Sequence, residues 1–297
     1  MVAIVFMVAG MSSRFGGKPK QFAHVGPNNE TLIEYSVHQA LTQPFSAIYF
    51  ICNPKTEIEF RKRFGNIYKG RQVYYVYQNY DTIKRKKPWG TIDAIAQLYD
   101  QTKFNNNKQD KESSYIIVNG DDIYGEETFK NGYERLKQTS NTPPTTNTPP
   151  TTTNTPPTTT NFIGTIPLLQ TIPKEGKVNR GVIWTSEDTN LVTKMEEMMN
   201  ISSDTVADEY KDMYANVNFI GLQYTTLKHI YDTVEYFKRN QIGKPDSDTI
   251  ECLLPDIFTS LIENNHLKLE ILQITNPLYG ITNTEDEETL RKTLATL

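Results

Sequence analysis

Apolar positions in the first half of the chain fall alternately into short continuous runs and helical stripes. Val2 to Val8 is an unbroken apolar run and reads as a buried strand; Ala47 to Cys52, Val73 to Tyr77 and Tyr115 to Val118 repeat the pattern. Between these runs apolar residues recur three and four apart. Leu32, Ile33, Val37, Ala40 and Leu41 form one stripe, and Ile92, Ile95, Ala96 and Tyr99 form another behind Thr91 as a cap. A third, Phe129, Tyr133 and Leu136, follows the fourth strand. Strands alternating with helices in this way predict an α/β domain with a mostly parallel sheet covered on both faces.

The pattern then stops. Residues 139 to 161 are almost entirely Thr, Asn, Pro and Ser, with Pro-Pro pairs beginning at 143, 149 and 156. Such a stretch has no apolar face to bury and cannot offset the entropy of ordering, so it reads as a disordered insertion within one domain spanning 1–297. Beyond it, Phe162 to Leu169, Asn216 to Leu222 and Leu267 to Ile274 read as strands. Leu227, Ile230, Tyr231, Val234 and Phe237 mark a helix, and Ile250, Leu253, Leu254, Ile257, Phe258 and Leu261 form the strongest stripe in the chain. Thr284 with Glu287 three residues on predicts a capping box for a last helix bearing Leu290, Leu294 and Leu297.

Composition narrows the function classes. The formal net charge of −4 argues against nucleic-acid binding through an overall field. Cys52 and Cys252 each lie in an apolar run, which predicts buried thiols in a reducing compartment, and the four histidines show no ligand spacing. No apolar run reaches the roughly 20 residues that span a bilayer, and no basic region precedes the first strand, so a cytoplasmic location is expected.

Three segments carry candidate chemistry. The first strand empties into Ala9-Gly10-Met11-Ser12-Ser13-Arg14 and then Pro19-Lys20, small residues and cations suited to backbone and charge contacts with phosphate. Its spacing matches neither the dinucleotide fingerprint nor the P-loop. A second segment, Asn119-Gly120-Asp121-Asp122-Ile123-Tyr124-Gly125, sets two carboxylates at the carboxyl end of a buried strand, where open α/β sheets bind ligands and hard oxygens suit Mg²⁺. Alone, it reads equally as an acidic turn. The third is Lys87-Pro88-Trp89-Gly90-Thr91, whose last two residues open a helix and offer donors to a base or phosphate. The preceding Lys84-Arg85-Lys86 reads as a nucleotide-attracting run or, equally, as a solvated loop.

Together, and in this order, the three segments resemble the sugar-phosphate nucleotidyltransferases, the NDP-sugar pyrophosphorylases, which share a Rossmann-like nucleotide-diphospho-sugar transferase fold. The resemblance implies a mixed, mostly parallel sheet flanked by helices and transfer of a nucleotidyl group from a nucleoside triphosphate to a sugar 1-phosphate, releasing pyrophosphate. By similarity to the N-acetylglucosamine-1-phosphate uridylyltransferases, Ala9 and Gly10 would contact the nucleoside, and Ser12 and Ser13 would line the phosphate loop in place of the usual Gly-Thr or Gly-Ser pair. Arg14 and Lys20 would neutralise the triphosphate and act in catalysis. Gln78 would read the base, Gly90 and Thr91 would complete its pocket, and Asp121 would hold Mg²⁺. Gly181, Glu196 and Asn218 fall where relatives hold the sugar. The second metal ligand is expected near residues 280–283, where no Asp stands, leaving Asn283, Thr282 or water to fill the shell.

The first choice of substrates on this resemblance is UTP with N-acetylglucosamine 1-phosphate, then glucose 1-phosphate; phosphocholine or another small phosphate is a further acceptor. Two other readings stay open from the residues: a metal-dependent glycosyltransferase, which would use Asp121 and Asp122 without Arg14 and Lys20, and a non-catalytic nucleotide-sugar-binding regulator. Neither a nucleic-acid nor a membrane partner is expected, and oligomeric state is not legible.

Overall fold

The structure is a computed structural model that describes residues 1–10, 19–102, 113–139, 161–173, 175–204, 206, 210–281 and 286–296. Its spine is a run of parallel strands. β1 (Val2–Met7) lies between β2 (Ala47–Cys52) and β5 (Ser114–Asn119), and β2 pairs in parallel with β4 (Arg71–Tyr77), whose far edge carries the short antiparallel β3 (Ile67–Tyr68). Beyond β5 the sheet becomes mixed. β10 (Tyr214–Gln223) runs antiparallel to both β5 and β7 (Phe162–Pro167), and β11 (Glu270–Gln273) closes that edge parallel to β7. A hairpin of β8 (Val178–Thr185) and β9 (Val192–Ile201) extends from the start of β10. Separately, β6 (Asp122–Ile123) pairs with β12 (Tyr279–Gly280).

The pleat of the central strands sorts their side chains into two cores. Ala3, Val5, Tyr115 and Ile117 face one side, against α3 (Thr91–Thr102), α5 (Tyr224–Gln241) and α6 (Leu254–Glu263). Val2, Ile4, Phe6, Ile116 and Val118 face the other, against α1 (Leu32–Ala40), α2 (Pro54–Phe64) and α4 (Glu126–Thr139). Strands buried on both faces must be apolar throughout, which is why the first four strands were legible as continuous runs. A smaller cluster joins Ala23, Val25 and Leu32 to Ile281 and to Leu290 and Leu294 of α7 (Asp286–Leu294), bringing the two ends of the chain together.

Several boundaries differ from those the pattern predicts. The stripe from Ile250 to Leu261 is helical only from Leu254, because the Cys252 amide donates to Trp89 O (2.8 Å) and holds residues 250–253 extended. The strand opening at Phe162 ends at Pro167, which has no N–H to donate, and a 3₁₀ turn follows over Leu168–Thr171. α2 and the β8–β9 hairpin have no counterpart in the pattern, since each is largely polar and buries only a few residues. Of the Thr/Pro tract, α4 extends through Thr139 and Asn161 is buried, its Oδ1 accepting from Gln223 N (3.0 Å) and Thr226 Oγ1 (3.1 Å). Residues 140–160, Thr284 and Leu297 lie outside the described residues. Among the described residues no helix is long and apolar enough to cross a membrane.

Candidate nucleotide and acceptor site

Parallel pairing brings the carboxyl ends of β1, β2, β4 and β5 to one edge of the sheet: Met7 pairs with Ile51 and with Asn119, and Cys52 with Tyr77. Ala9, Asn53, Gln78 and Asp121 therefore emerge side by side, in the crevice where open α/β sheets bind ligands. Asn53 ties two of these ends together. Its Oδ1 caps α2 through Lys55 N (2.8 Å) and Thr56 N (3.0 Å), while its Nδ2 donates to Ala9 O (2.9 Å).

Lys20 forms an ion pair with Asp121 and donates to Ile281 O (3.1 Å), so the lysine of the Pro19-Lys20 pair, the strand-end carboxylate and the residue after β12 meet at one point. Gly120 makes the approach possible: a Cβ there would stand 2.3 Å from Val8 Cγ1. Asp122 is fixed by Asn119 Nδ2 (2.8 Å). Burial and the Asp121 carboxylate push its own carboxyl up to about 6, against the opposing effects of Asn119 and Lys20. The site thus holds more negative charge than Lys20 alone balances.

On the opposite flank, Gln78 is only 6% exposed, and its Nε2 donates to Gly90 O (2.9 Å) and Asp93 Oδ2 (3.0 Å). Gly90 holds φ at +103°, and a Cβ on it would meet Cys252 O at 2.6 Å, so the motif closes tightly on the segment before α6. Gly90 O accepts from Ala94 N (3.4 Å), which makes Gly90 the cap of α3 and Thr91 its first residue.

Between these elements and the β8–β9 hairpin lies a cleft of about 630 Å³ lined by Lys87, Thr91, Gly181, Asn218, Glu197 and Arg180, among others. Asn218 adopts a left-handed φ of +54° where β10 slips register between Asn216 and Ile220. Tyr124 holds that irregularity from beneath, its hydroxyl donating to Val217 O (2.9 Å) or Asn218 O (3.2 Å). Glu197 sits opposite Gly181 in the hairpin. Burial, with Asp256 and Glu251 nearby, raises its carboxyl above the ordinary range although Arg180 opposes the shift.

Residues 14–157 match the family model described as nucleotidyl transferase. No curated protein matches the sequence. Among solved structures, it is similar to a nucleoside-diphosphate-sugar pyrophosphorylase from Vibrio cholerae at a TM-score of 0.60 and 13% identity, covering 98% of this chain and 100% of that one. A UDP-glucose pyrophosphorylase from Acinetobacter baumannii gives 0.58 and 13%, covering 98% and 92%. CTP:phosphocholine cytidylyltransferase from Streptococcus pneumoniae gives 0.57 and 12%, covering 99% of each chain. At these identities the likeness is one of fold: the Rossmann-like nucleotidyltransferase architecture with its mostly parallel central sheet.

The structure gathers Ala9, Gly10, Lys20 and Asp121 at the sheet edge, Gln78 with Gly90 on one flank, and Thr91, Gly181 and Asn218 along the cleft. Ser12, Ser13, Arg14 and Asn283 lie outside the described residues. Glu196 is not on the cleft: it is 52% exposed and pairs with Lys194 (2.6 Å), two residues along the same strand. Successive β9 residues point to opposite faces, so Glu197 takes the cleft side. In the Lys84–Lys86 run the two lysines are exposed and the arginine is buried. Lys84 pairs with Asp81 (3.3 Å) and Lys86 with Asp248 (2.6 Å), while Arg85 stacks on Trp89 at 3.3 Å and donates to backbone carbonyls. Asp93 and Arg180 escaped the sequence reading, and Lys87 entered it only as the first residue of its segment; Asp93 looked like one more polar position in a helix whose apolar stripe explained its neighbours.

Proposed function

We propose that the chain joins a nucleoside triphosphate to a sugar 1-phosphate, with release of pyrophosphate, and that UTP is its nucleotide. The observation that carries this reading is the Lys20–Asp121 pair at the carboxyl edge of the parallel strands, in a fold whose neighbouring β10 contributes Asn216 and Asn218 to a cleft of mixed polar and apolar lining. A phosphate oxygen of the acceptor attacks the α-phosphorus, the bond from that phosphorus to the bridging oxygen breaks, and pyrophosphate departs with the electron pair. The acceptor phosphate is anionic at neutral pH, so no general base is needed. The barrier lies in bringing two polyanions together. Lys20 and Arg14 are the cations assigned to offset that charge.

The donor set at the strand end suits a hard divalent ion. Asp121 offers carboxylate oxygen next to a second carboxylate whose proton affinity is already raised, and the described residues contain no cluster of three or more acidic, His or Cys ligands. Mg²⁺ takes one or two carboxylates and keeps water and phosphate for the rest. Asp121 would hold it, and when bound it would spread the charge of the triphosphate; the ion pair shows that Lys20 can neutralise the same carboxylate.

The cleft favours a polyhydroxylated acceptor. Its described lining mixes Asn, Glu, Lys, Arg and Thr side chains with no aromatic ring, which suits hydroxyl groups and lacks the cage a trimethylammonium prefers. Glu197, not Glu196, is the carboxylate placed to receive ring hydroxyls, with Asn218 and the Gly181 backbone beside it. N-acetylglucosamine 1-phosphate is the first acceptor to test and glucose 1-phosphate the second. Pyrophosphate release across a matrix of nucleoside triphosphates and phosphorylated acceptors, with and without Mg²⁺, tests the reading. Release with UTP and a sugar 1-phosphate is expected. No release with any pair would overturn it in favour of a binding protein, and hydrolysis or transfer from a nucleotide sugar would favour a glycosyltransferase.

A further inference from the structure

Resting on the assignment of Gln78 to the base, we infer that Asp93, held by Lys238, is a positioning residue that sets nucleotide specificity by fixing which end of the Gln78 carboxamide faces the base. Asp93 is 0% exposed, in the first turn of α3. Its Oδ1 receives Lys238 of α5 and Gln97 Nε2 (3.2 Å), and its Oδ2 receives Gln78 Nε2 (3.0 Å). Lys238 is itself 16% exposed. Burial works against its charge, but Asp93 and then Glu235 outweigh that and hold the ammonium above the ordinary lysine range. Asp93 is therefore paired from the far side by a cation that is not among the residues lining the cleft.

An ionised carboxylate only accepts hydrogen bonds. Opposite it, Gln78 can present only its NH₂ group, and Gly90 O takes the other hydrogen of that group (2.9 Å). Both donors are consumed by protein. What remains for a ligand is the carbonyl Oε1, an acceptor. An acceptor there fits a base that carries a ring N–H, as uracil and thymine do at N3. It sets lone pair against lone pair with the ring nitrogen of cytosine or adenine, and a site built around one hydrogen bond rejects analogues lacking the partner group. With Asp93 replaced, Gly90 O alone would hold the carboxamide, and a flipped side chain that offers a donor would become accessible.

Equilibrium binding of UTP, dTTP and CTP to the full chain, by isothermal calorimetry, tests this without relying on turnover. The double variant Asp93→Asn with Lys238→Met removes the pair together, so no lone charge is left buried. The wild-type chain should bind UTP and dTTP more tightly than CTP, and the double variant should lose about tenfold or more of that preference while still binding nucleotide. Gln78→Met, which keeps Asp93 and Lys238 paired, should lose the same preference, and it decides the matter if the double variant fails to fold. Lys238→Arg, which keeps the charge, should retain it. A wild-type chain that does not distinguish UTP from CTP, or variants that keep the full preference, would overturn the inference. A uniform loss of affinity for all three nucleotides would reduce Asp93 to a structural role. Failure of the pyrophosphate assay with intact base preference would instead remove the catalytic reading and leave this one standing.

Discussion

At the scale of single residues, the site is organised by charges that answer one another. Lys20 reaches both Asp121 and Ile281 O, so its loss removes the cation paired with Asp121 and, on the proposed reaction, a cation assigned to the triphosphate. Lys20→Ala should lower kcat by roughly 10²-fold, a typical cost of removing a donor that stabilises transition-state charge; steady-state pyrophosphate release measures it, and near-normal turnover would remove Lys20 from catalysis. The neighbouring pair on β9 separates a binding role from a surface one. Glu197→Gln should raise the acceptor KM several-fold with the nucleotide KM unchanged, whereas Glu196→Gln, on the solvent side, should change neither. Glu197 also makes a stability prediction. Its carboxyl is raised in the fold by burial, Asp256 and Glu251, so the folded state binds a proton more tightly than the unfolded chain does. The cost of ionising it is absent below the ordinary carboxylate range and is fully present once pH exceeds the raised value. Glu197→Gln should therefore melt above the wild-type chain at pH 7, with the gap closing near pH 4; a lower melting point at neutral pH would show that its pairing with Arg180 dominates.

At the scale of elements, the Lys-Pro-Trp-Gly-Thr segment acts as a clasp. Arg85, 6% exposed, stacks on Trp89 and donates to the carbonyls of Lys87 (3.1 Å), Ile250 (2.6 Å), Pro88 (3.4 Å) and Ser247, joining residues 85–90 to the approach to α6. Arg85→Met keeps the length and apolar stem but strands several carbonyls, which should cost on the order of 3 kcal/mol in urea unfolding. A change within experimental error would mean water replaces the guanidinium. This clasp explains why the motif was legible while its purpose was not. Glycine and tryptophan stand out locally, but two of the carbonyls that Arg85 serves, those of Ser247 and Ile250, lie more than 160 positions away. The β8–β9 hairpin was illegible for another reason. Its strands mix exposed and half-buried residues with a few buried ones over a small core around Leu168 and Ala215, so no continuous apolar run marks them. Without the strand, Glu196 and Glu197 could not be told apart.

At the scale of the whole molecule, alternation of apolar runs and stripes made the parallel half of the sheet readable, because each βα unit packs beside the next. In the mixed half the strands β7, β10 and β11 were readable but their order was not: β10 enters antiparallel between β5 and β7, a placement set by long-range pairing that no local pattern encodes. The Thr/Pro tract falls at this transition, between α4 and β7. Both of its anchors are built into the fold independently of it. α4 packs Phe129 and Leu136 against the sheet, and Asn161 is bound by Gln223, Thr226 and its own Nδ2 donation to Lys268 O (3.2 Å). If the tract is only a connection, its contribution to stability is closure entropy, which changes slowly with length. Replacing residues 140–160 by a flexible Gly/Ser linker of about 12 residues should then shift unfolding free energy by well under ~1 kcal/mol and leave pyrophosphate release intact. A loss of several kcal/mol would show that the tract packs on the domain, and a loss of turnover at unchanged stability would give it a part in the reaction. Either result would separate this chain from an uninterrupted sheet of the same topology, in which α4 leads straight into β7.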